Sequence, residues 1–204
     1  MHIAIVGNIG AGKTTLTELL AKHLAFEPHF EAVEHNPYLE DFYNDMKRWS
    51  FNLQIYFLNS RFNQIREITS NNKNIVQDRT IYEDAYIFAE NLHDMGLMTS
   101  RDYENYRAIF DNMTSFIKAP DLLIYLKASV PTLVNNIQRR GREYEAGIRL
   151  DYLSKLNDKY QKWIGGYNEG KLLILDKDKL DFANNPEDLG FIIQSIEREI
   201  NGLF

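Results

Sequence analysis

The sequence has no cysteine, which excludes disulfide bonds and thiolate-ligated zinc sites. It also has no apolar run approaching the ~20 residues that a membrane-spanning helix requires. Acidic residues outnumber basic ones by 29 to 23, and the formal net charge is -6, which argues against nucleic acid as the main partner. A first strand beginning at residue 2 or 3 would leave no room for a signal peptide. We therefore expect a cytoplasmic protein that contacts neither membrane nor nucleic acid.

Short apolar, β-favouring runs alternate with longer helical patterns along the chain. Such runs are typical of buried parallel strands, and the alternation predicts an α/β fold with a five-stranded parallel sheet flanked by helices. The length of 204 residues predicts one domain, residues 1–204. The predicted strands are 3–6, 30–33, 74–77, 121–126 and 172–175. The predicted helices are 13–25, 48–70, 82–95, 100–117, 131–141, 149–165 and 186–201.

The first predicted strand leads into a glycine-rich phosphate-binding motif. Residues 7–14, GNIGAGKT, fit the pattern G-x-x-x-x-G-K-[ST] between a strand and a helix. Glycines let backbone N–H groups converge on a phosphate, and the helix adds its positive end. Lys13 can reach the outer phosphates, and the Thr14 hydroxyl can ligate Mg²⁺. The predicted ATP-binding residues of this loop are Gly7, Asn8, Ile9, Gly10, Ala11, Gly12, Lys13, Thr14 and Thr15.

Charged residues stand where other predicted strands end. Glu34 follows the second strand, and Asp78 and Arg79 follow the third. Taken singly, each is more often a solvated carboxylate or a surface ion pair. Because ligands of parallel sheets collect at the carboxyl ends of the strands, these residues are expected to converge with the phosphate loop.

Five separated segments, in this order, resemble the deoxynucleoside kinase family, and the resemblance covers nearly the whole chain. The segments are GNIGAGKTT, VEHNP, WSFNLQIYFLNSR, DRTIYEDAYIFA and RRGREYEAGIRLDYL. Only the first is specific by itself. The overall character is most similar to the bacterial purine-preferring members. The resemblance implies a P-loop kinase fold with an arginine-bearing lid at about 139–148, a homodimer, and ATP with Mg²⁺ as the phosphate donor.

The resemblance also implies roles for individual residues. Glu34 would be the catalytic base, with Lys13 and Arg79 as the other catalytic residues, while Asp78 would lie near the Mg²⁺ bound by Thr14. Tyr43 and Glu145 would bind the sugar 3′-hydroxyl. The base would be read by Gln54 and Asp84 with Arg61 beside them, and stacked on by Phe88. Arg140 and Arg142 would belong to the lid.

Helical spacing supports part of this assignment without the family. Gln54, Phe57 and Arg61 lie three and four positions apart, so one helix face would carry all three into one pocket. Gln54 offers both a donor and an acceptor to a base edge. Gly141 between the two lid arginines predicts a helix end that frees both to turn inward.

Three positions depart from the family pattern. His35 could compete with Glu34 for the base role, since imidazole titrates near neutral pH. Asn136 stands where some relatives carry an arginine near the adenine of the nucleotide, which leaves the ATP preference open. Asp78 replaces a glutamate and is one methylene shorter.

The sequence therefore predicts an ATP-dependent kinase that phosphorylates the 5′-hydroxyl of deoxyribonucleosides in nucleotide salvage, with deoxyadenosine favoured. The alternative within the same fold is a nucleoside monophosphate kinase similar to thymidylate kinase, which needs basic residues to hold an acceptor phosphate. A P-loop regulatory switch is a further alternative, and it would need neither lid arginines nor a base.

Overall fold

The structure, a computed structural model, describes residues 1–31, 36–70, 73–145 and 147–202. Five parallel strands form one sheet, as the sequence predicts, and their order is β2-β3-β1-β4-β5. The strands are β1 (His2–Val6), β2 (Glu27–His29), β3 (Ile75–Asp78), β4 (Leu122–Lys127) and β5 (Lys171–Asp176). Among the described residues, no helix combines the length and apolar character needed to cross a membrane.

Helices cover both faces of the sheet. The α-helices are α1 (Lys13–Leu24), α2 (Leu39–Asn44), α3 (Met46–Ser70), α4 (Ile81–Glu83), α5 (Glu90–Asp94), α6 (Ser100–Thr114), α7 (Val130–Arg140), α8 (Leu150–Gly165) and α9 (Pro186–Asn201). A π-helix, Asp84–Ala89, joins α4 to α5, and a 3₁₀ helix spans Glu143–Glu145.

Alternation along β1 divides the apolar core in two. Ile3 and Ile5 pack with Leu16 of α1 in one core, which α9 also covers. Ala4 and Val6 point to the opposite face and join the core beneath α3, α6 and α8. Burial on both faces explains why β1 reads as a continuous apolar run. The central strand thus fixes the phosphate loop, which follows it directly, at the carboxyl edge of the sheet.

The predicted second strand was wrong in position. The apolar run 30–33 suggested a strand there, but β2 is Glu27–His29 and pairs with β3 through His29 and Gln77. Pro28 argued against a strand at this position, because proline is rare in strands. It is tolerated in an edge strand such as β2, where the backbone N–H groups on the outer side need no partner. The second strand therefore ends several residues earlier than expected, and the residues that follow it change.

The predicted helix 82–95 is helical from Ile81 to Asp94, but it is not one regular α-helix. It is three segments, because the middle of it widens into the π-helix that carries Asp84 and Phe88. Short π-helical turns occur often at functional sites. Helix α2 was not predicted, and α3 begins at Met46, two residues before the predicted start. Helix α7 ends as predicted at Gly141, which has a left-handed φ of 69°.

Candidate active site

A cavity of about 770 Å³ opens at the carboxyl edge of the sheet. It runs from the phosphate loop to one face of α3, so a phosphate donor and the molecule that accepts the phosphate could bind in one continuous cavity. The lining residues include most of those singled out from the sequence: Lys13, Thr14, Tyr43, Gln54, Phe57, Asp78, Arg79, Asp84, Phe88, Arg140, Arg142 and Glu145.

The phosphate loop follows β1 and wraps the start of α1. Gly10 and Gly12 adopt positive φ values of 83° and 93°, and a Cβ on Gly10 would stand 2.7 Å from the Leu133 carbonyl oxygen. No side chain caps α1, so its first N–H groups are left for a ligand. The Lys13 ammonium donates to the Asn8 carbonyl at 3.2 Å. Burial, with the charge of Arg79, lowers the pKa of Lys13 to about 8. This loop is a preformed anion site.

Thr14 and Asp78 meet at the junction of the loop and β3. The Thr14 hydroxyl donates to Oδ2 of Asp78 at 2.6 Å, while Oδ1 of Asp78 is buried without a hydrogen-bond partner among the described residues. Hydroxyl and carboxylate oxygens are the ligands that Mg²⁺ takes beside phosphates. The orphaned oxygen makes this pair fit a hydrated Mg²⁺.

Arg79 has an unusual backbone for a bulky residue, with φ at 69°. That left-handed conformation costs about 1 kcal/mol or more, and it turns the guanidinium into the cavity. Nε lies 2.8 Å from Oε1 of Glu31, close enough for an ion pair though not aligned for a hydrogen bond. The guanidinium also lies 4.5 Å above the Phe88 ring. Arg79 is thus held between a carboxylate and an aromatic face.

Glu31 is a site residue that the sequence argument missed. Its Oε1 is 3.2 Å from Nη2 of Arg61 as well as 2.8 Å from Arg79. Burial alone would raise the pKa of Glu31, but the two arginines outweigh it and lower the pKa to about 2. Because His29 pairs with Gln77, the residue two further on is level with Arg79. Correct placement of β2 would have pointed to Glu31.

Glu34 and His35, the two residues considered for the base role from sequence, lie outside the described residues. The structure therefore does not test either of them. Glu31 is the described carboxylate that lies beside Arg79 at the end of β2.

The far end of the cavity is buried and polar. Gln54 is 2% exposed, and its Oε1 has no hydrogen-bond partner among the described residues. Arg61 was predicted to enter the same pocket, but it does not line the cavity itself; its Nε lies 3.4 Å from Oδ2 of Asp84, which does. Burial raises the pKa of Asp84 to about 7 in spite of that arginine. Phe57 and Phe88 supply apolar walls. This end can clamp a flat polar ring.

Tyr43 and the predicted lid residues Arg140, Arg142 and Glu145 also line the cavity. The Tyr43 ring stacks on Tyr144 with centroids 5.8 Å apart. Glu145 accepts from Nη2 of Arg140 at 2.6 Å, and Nη1 of Arg142 lies 3.5 Å away. Glu145 is thus engaged by both lid arginines, and no Tyr43–Glu145 hydrogen bond occurs in the described structure. Burial raises the pKa of Tyr43 well above its ordinary value.

Hydrogen bonds to two helices, α7 and α8, hold the phosphate loop in place. The Asn136 amide donates to the Gly10 carbonyl at 2.8 Å. The Asn8 amide donates to the Leu153 carbonyl at 3.0 Å and to Asn157 at 2.7 Å, both on α8. Asn136 therefore bonds the loop itself.

The loop after β5 closes the donor end and was also missed. Phe182 and Lys177 line the cavity, with the Lys177 ammonium 4.9 Å from the Phe182 ring. The Phe182 ring would stand 3.3 Å from a Cβ on Gly12. Their position after the fifth strand could have predicted this, because the loops that follow parallel strands all lie at the same edge of the sheet.

Comparisons with known proteins agree with this geometry. The family model described as deoxynucleoside kinase matches residues 3–201. A deoxyadenosine/deoxycytidine kinase of Bacillus subtilis is 41% identical over 201 residues, covering 98% of this chain and 93% of the relative. A deoxyguanosine kinase of Lactobacillus acidophilus is 37% identical over 206 residues, covering 95% and 88%. The solved deoxyadenosine kinase of M. mycoides, with dCMP and a flexible dCDP bound, gives a TM-score of 0.86 at 33% identity, covering 97% and 99%. The chain therefore belongs to the deoxynucleoside kinase family and is a phosphotransferase that acts on nucleosides.

Proposed function

We propose that the protein transfers the γ-phosphoryl group of ATP to the 5′-hydroxyl of a deoxyribonucleoside, with deoxyadenosine preferred, in nucleotide salvage. One observation carries this proposal. A buried amide oxygen on Gln54 has no hydrogen-bond partner within the described part of the chain, and Gln54 lines the same cavity as the phosphate loop. An unpartnered buried acceptor is costly unless a ligand satisfies it.

The base preference follows from the chemistry of the far end. Glutamine can bond two neighbouring polar atoms of adenine at once, an acceptor nitrogen and the exocyclic amino group. Asp84 beside it suits an amino group, which both adenine and cytosine carry. The Phe57 and Phe88 rings would stack on or flank the base. Deoxyadenosine is the proposed substrate, and deoxycytidine is the nearest competitor.

ATP and Mg²⁺ are assigned to the phosphate loop. Its N–H groups and Lys13 would hold the outer phosphates, and Thr14 with Asp78 would hold the metal. Bound Mg²⁺ supplies positive charge to the phosphate oxygens. Negative phosphates beside Lys13 would raise its pKa again and keep it charged. Arg140 and Arg142 in the lid, about 139–148, would turn from Glu145 to the transferring oxygens.

A carboxylate at the end of β2 would take the 5′-hydroxyl proton. Glu34 is the candidate from sequence, with His35 as its competitor. We favour Glu31 because of its place beside Arg79 in the cavity. Its low pKa keeps it ionised at all physiological pH values. An ionised carboxylate takes the hydroxyl proton in the same way in protein kinases, where a catalytic aspartate accepts it.

The sugar would lie beneath Tyr43. Its ring stacks on Tyr144. A ribose 2′-hydroxyl placed against this aromatic ring would lose its hydrogen bonds to water, which disfavours ribonucleosides. The 3′-hydroxyl would bond the Tyr43 hydroxyl and Glu145, after Glu145 exchanges its arginines for the ligand. This exchange couples sugar binding to release of the lid arginines.

A substrate panel tests the proposal. Purified protein is incubated with ATP–Mg²⁺ and each deoxynucleoside, ribonucleoside and deoxynucleoside monophosphate in turn. The expected product is deoxynucleoside 5′-monophosphate with ADP, formed fastest from deoxyadenosine. A monophosphate kinase would ignore nucleosides, and a regulatory switch would release only ADP and phosphate. Either result would reject the proposal.

The proposal extends to assembly and place in the cell. A homodimer is proposed because Ile109 on α6 is exposed at 38% and Phe116, just beyond the same helix, at 91%. Exposed apolar side chains on α6 and directly after it mark a surface that a second copy would cover. The proposed location is the cytoplasm, where ATP and free deoxynucleosides occur together.

A further inference from the structure

Glu83 is a fully buried carboxylate that does not line the described cavity. It lies at the end of α4, three residues after Thr80. Its Oε2 accepts from the Thr80 N–H at 2.7 Å, which completes a capping box. Its Oε1 accepts from the Gly7 N–H at 3.2 Å and lies 3.5 Å from Nη1 of Arg79. One side chain therefore contacts both the phosphate loop and Arg79.

Tyr160 on α8 completes the same network from the other side of the loop. Its hydroxyl oxygen is 2.6 Å from Oε1 of Glu83 and 2.8 Å from the Gly7 carbonyl oxygen. It also accepts from Nη1 of Arg79 at 3.2 Å. Burial raises the pKa of Tyr160 well above its ordinary value, so the phenol keeps its proton and shares it between two acceptors.

Together the two side chains hold both polar groups of one glycine. Glu83 binds the N–H of Gly7, and Tyr160 binds its carbonyl. Gly7 is the first residue of the phosphate loop. The same two side chains bind Arg79, which stands at the end of the neighbouring strand. A shift of either side chain would move the donor loop and Arg79 relative to each other.

We propose that Glu83 and Tyr160 are a positioning pair that sets the distance between the phosphate loop and Arg79 for in-line transfer. The inference rests on the proposed function. Neither residue touches the reacting atoms, so both act through Gly7 and Arg79. Misplacement of a catalytic group by about 1 Å can lower the rate roughly 100-fold, which is the scale of effect expected here.

A purely structural role for Glu83 makes a different prediction. Glutamine serves as well as glutamate at the third position of a capping box. Glu83→Gln would then leave the turnover unchanged. In a positioning pair, the same change removes the negative charge facing Arg79 and lowers kcat, while the cap and the affinity for deoxyadenosine are kept.

The test compares Tyr160→Phe with Tyr125→Phe. Tyr125 is also buried and its ring stacks on Tyr160 at 5.7 Å, but it makes no hydrogen bond to Gly7, Arg79 or Glu83 in the described structure. Tyr160→Phe is expected to lower kcat 10- to 100-fold and to weaken ATP binding several-fold, with deoxyadenosine affinity within about threefold of wild type. Tyr125→Phe should stay near wild type. Equal kinetics in the two variants would overturn the proposal.

A double-mutant cycle tests whether the two residues act as one unit. Glu83→Gln and Tyr160→Phe together should lower kcat hardly more than either alone, since residues of one unit are non-additive. Fully additive effects would overturn the pair.

ATP affinity, measured by calorimetry without an acceptor, separates this inference from the proposed function. If wild type phosphorylates no nucleoside, equal ATP affinity in Tyr160→Phe and Tyr125→Phe would still reject the pairing, and weaker binding in Tyr160→Phe alone would support it.

Discussion

Two carboxylates three positions apart, Glu31 and Glu34, compete for one chemical role. A general base typically contributes ~10²–10⁴-fold to the rate. Replacing the true base by glutamine keeps its size and removes its basicity. We expect Glu31→Gln to lower kcat by at least 100-fold with ATP affinity nearly unchanged, and Glu34→Gln to lower it far less. Steady-state kinetics with separate binding measurements would decide, and the reverse order would restore Glu34 as the base.

Asp84 is expected to control the choice of base. The wrong base leaves buried polar groups unpaired, and that loss differs from one base to another. Asp84→Ala should therefore lower kcat/KM unequally for deoxyadenosine, deoxyguanosine, deoxycytidine and thymidine, with the amino-bearing bases losing most. Parallel assays on the four substrates measure this. An equal loss for all four would make Asp84 a structural partner of Arg61.

Asp84 also predicts a pH dependence of stability. Its pKa is about 7 when folded and about 4 when unfolded, so the folded state binds the extra proton between these values. The contribution to stability is therefore present at pH 4 and is lost as the pH rises to 7, by up to roughly 4 kcal/mol. Asp84→Asn lacks this titration. Denaturant unfolding of both proteins at pH 4.5 and 7.5 should show wild type losing stability relative to the variant.

At the scale of elements, the lid depends on where α7 ends. Gly141 terminates the helix, and Arg142 then turns back to within 3.5 Å of Glu145. We expect Arg142→Ala to lower kcat at least tenfold while deoxyadenosine affinity changes little. Arg149→Ala is the matched control, since Arg149 is exposed and pairs with Asp151. A kcat near that of wild type in both variants would mean that Arg142 is an ordinary surface residue with no role in the reaction.

Strand and helix boundaries explain what could be predicted at this scale. Strands β1 and β4 are buried on both faces, so their apolar runs gave their positions to within a residue. Edge strand β2 contains Pro28 and no apolar residue, and its pairing depends on β3 rather than on its own composition. The shifted strand end also left Glu31 out of the residues considered for the site, while Glu34 lies outside the described residues and stays untested. The π-helix at Asp84–Ala89 contacts α3, α6 and α8, and local sequence does not encode those contacts.

The site residues also divide into those that the sequence indicates and those that come together only in the folded chain. Gln54 and Arg61 were implied by the family resemblance, and helical spacing added only that they share one face of α3. Lys13 and Thr14 follow from a motif that includes its own strand and helix. Glu83 and Tyr160 lie 77 positions apart and meet only in the folded chain. No local pattern marks either one, because a buried acid in a short helix reads as an ordinary cap.

At the scale of the whole molecule, association is open to a direct test. Phe116 is almost fully exposed in the isolated chain. Phe116→Glu should convert a dimer into monomers, because a buried unpaired charge at an interface is costly. Analytical ultracentrifugation measures the mass of both proteins, and Phe191→Glu, an exposed phenylalanine on α9, is the control. A monomeric wild type would reject the dimer.

The central place of β1 has a consequence for synthesis of the chain. It is made before its partners β3 and β4, which begin at Ile75 and Leu122. At ~5–20 residues per second, a nascent chain needs on the order of ten seconds to complete both. During that time the apolar residues Ile3–Val6 lack a strand partner until β3 is made, and one edge of β1 stays unpaired until β4 is made. The nascent protein is therefore expected to depend on holding chaperones until β4 has emerged, and to aggregate when translation stalls before it.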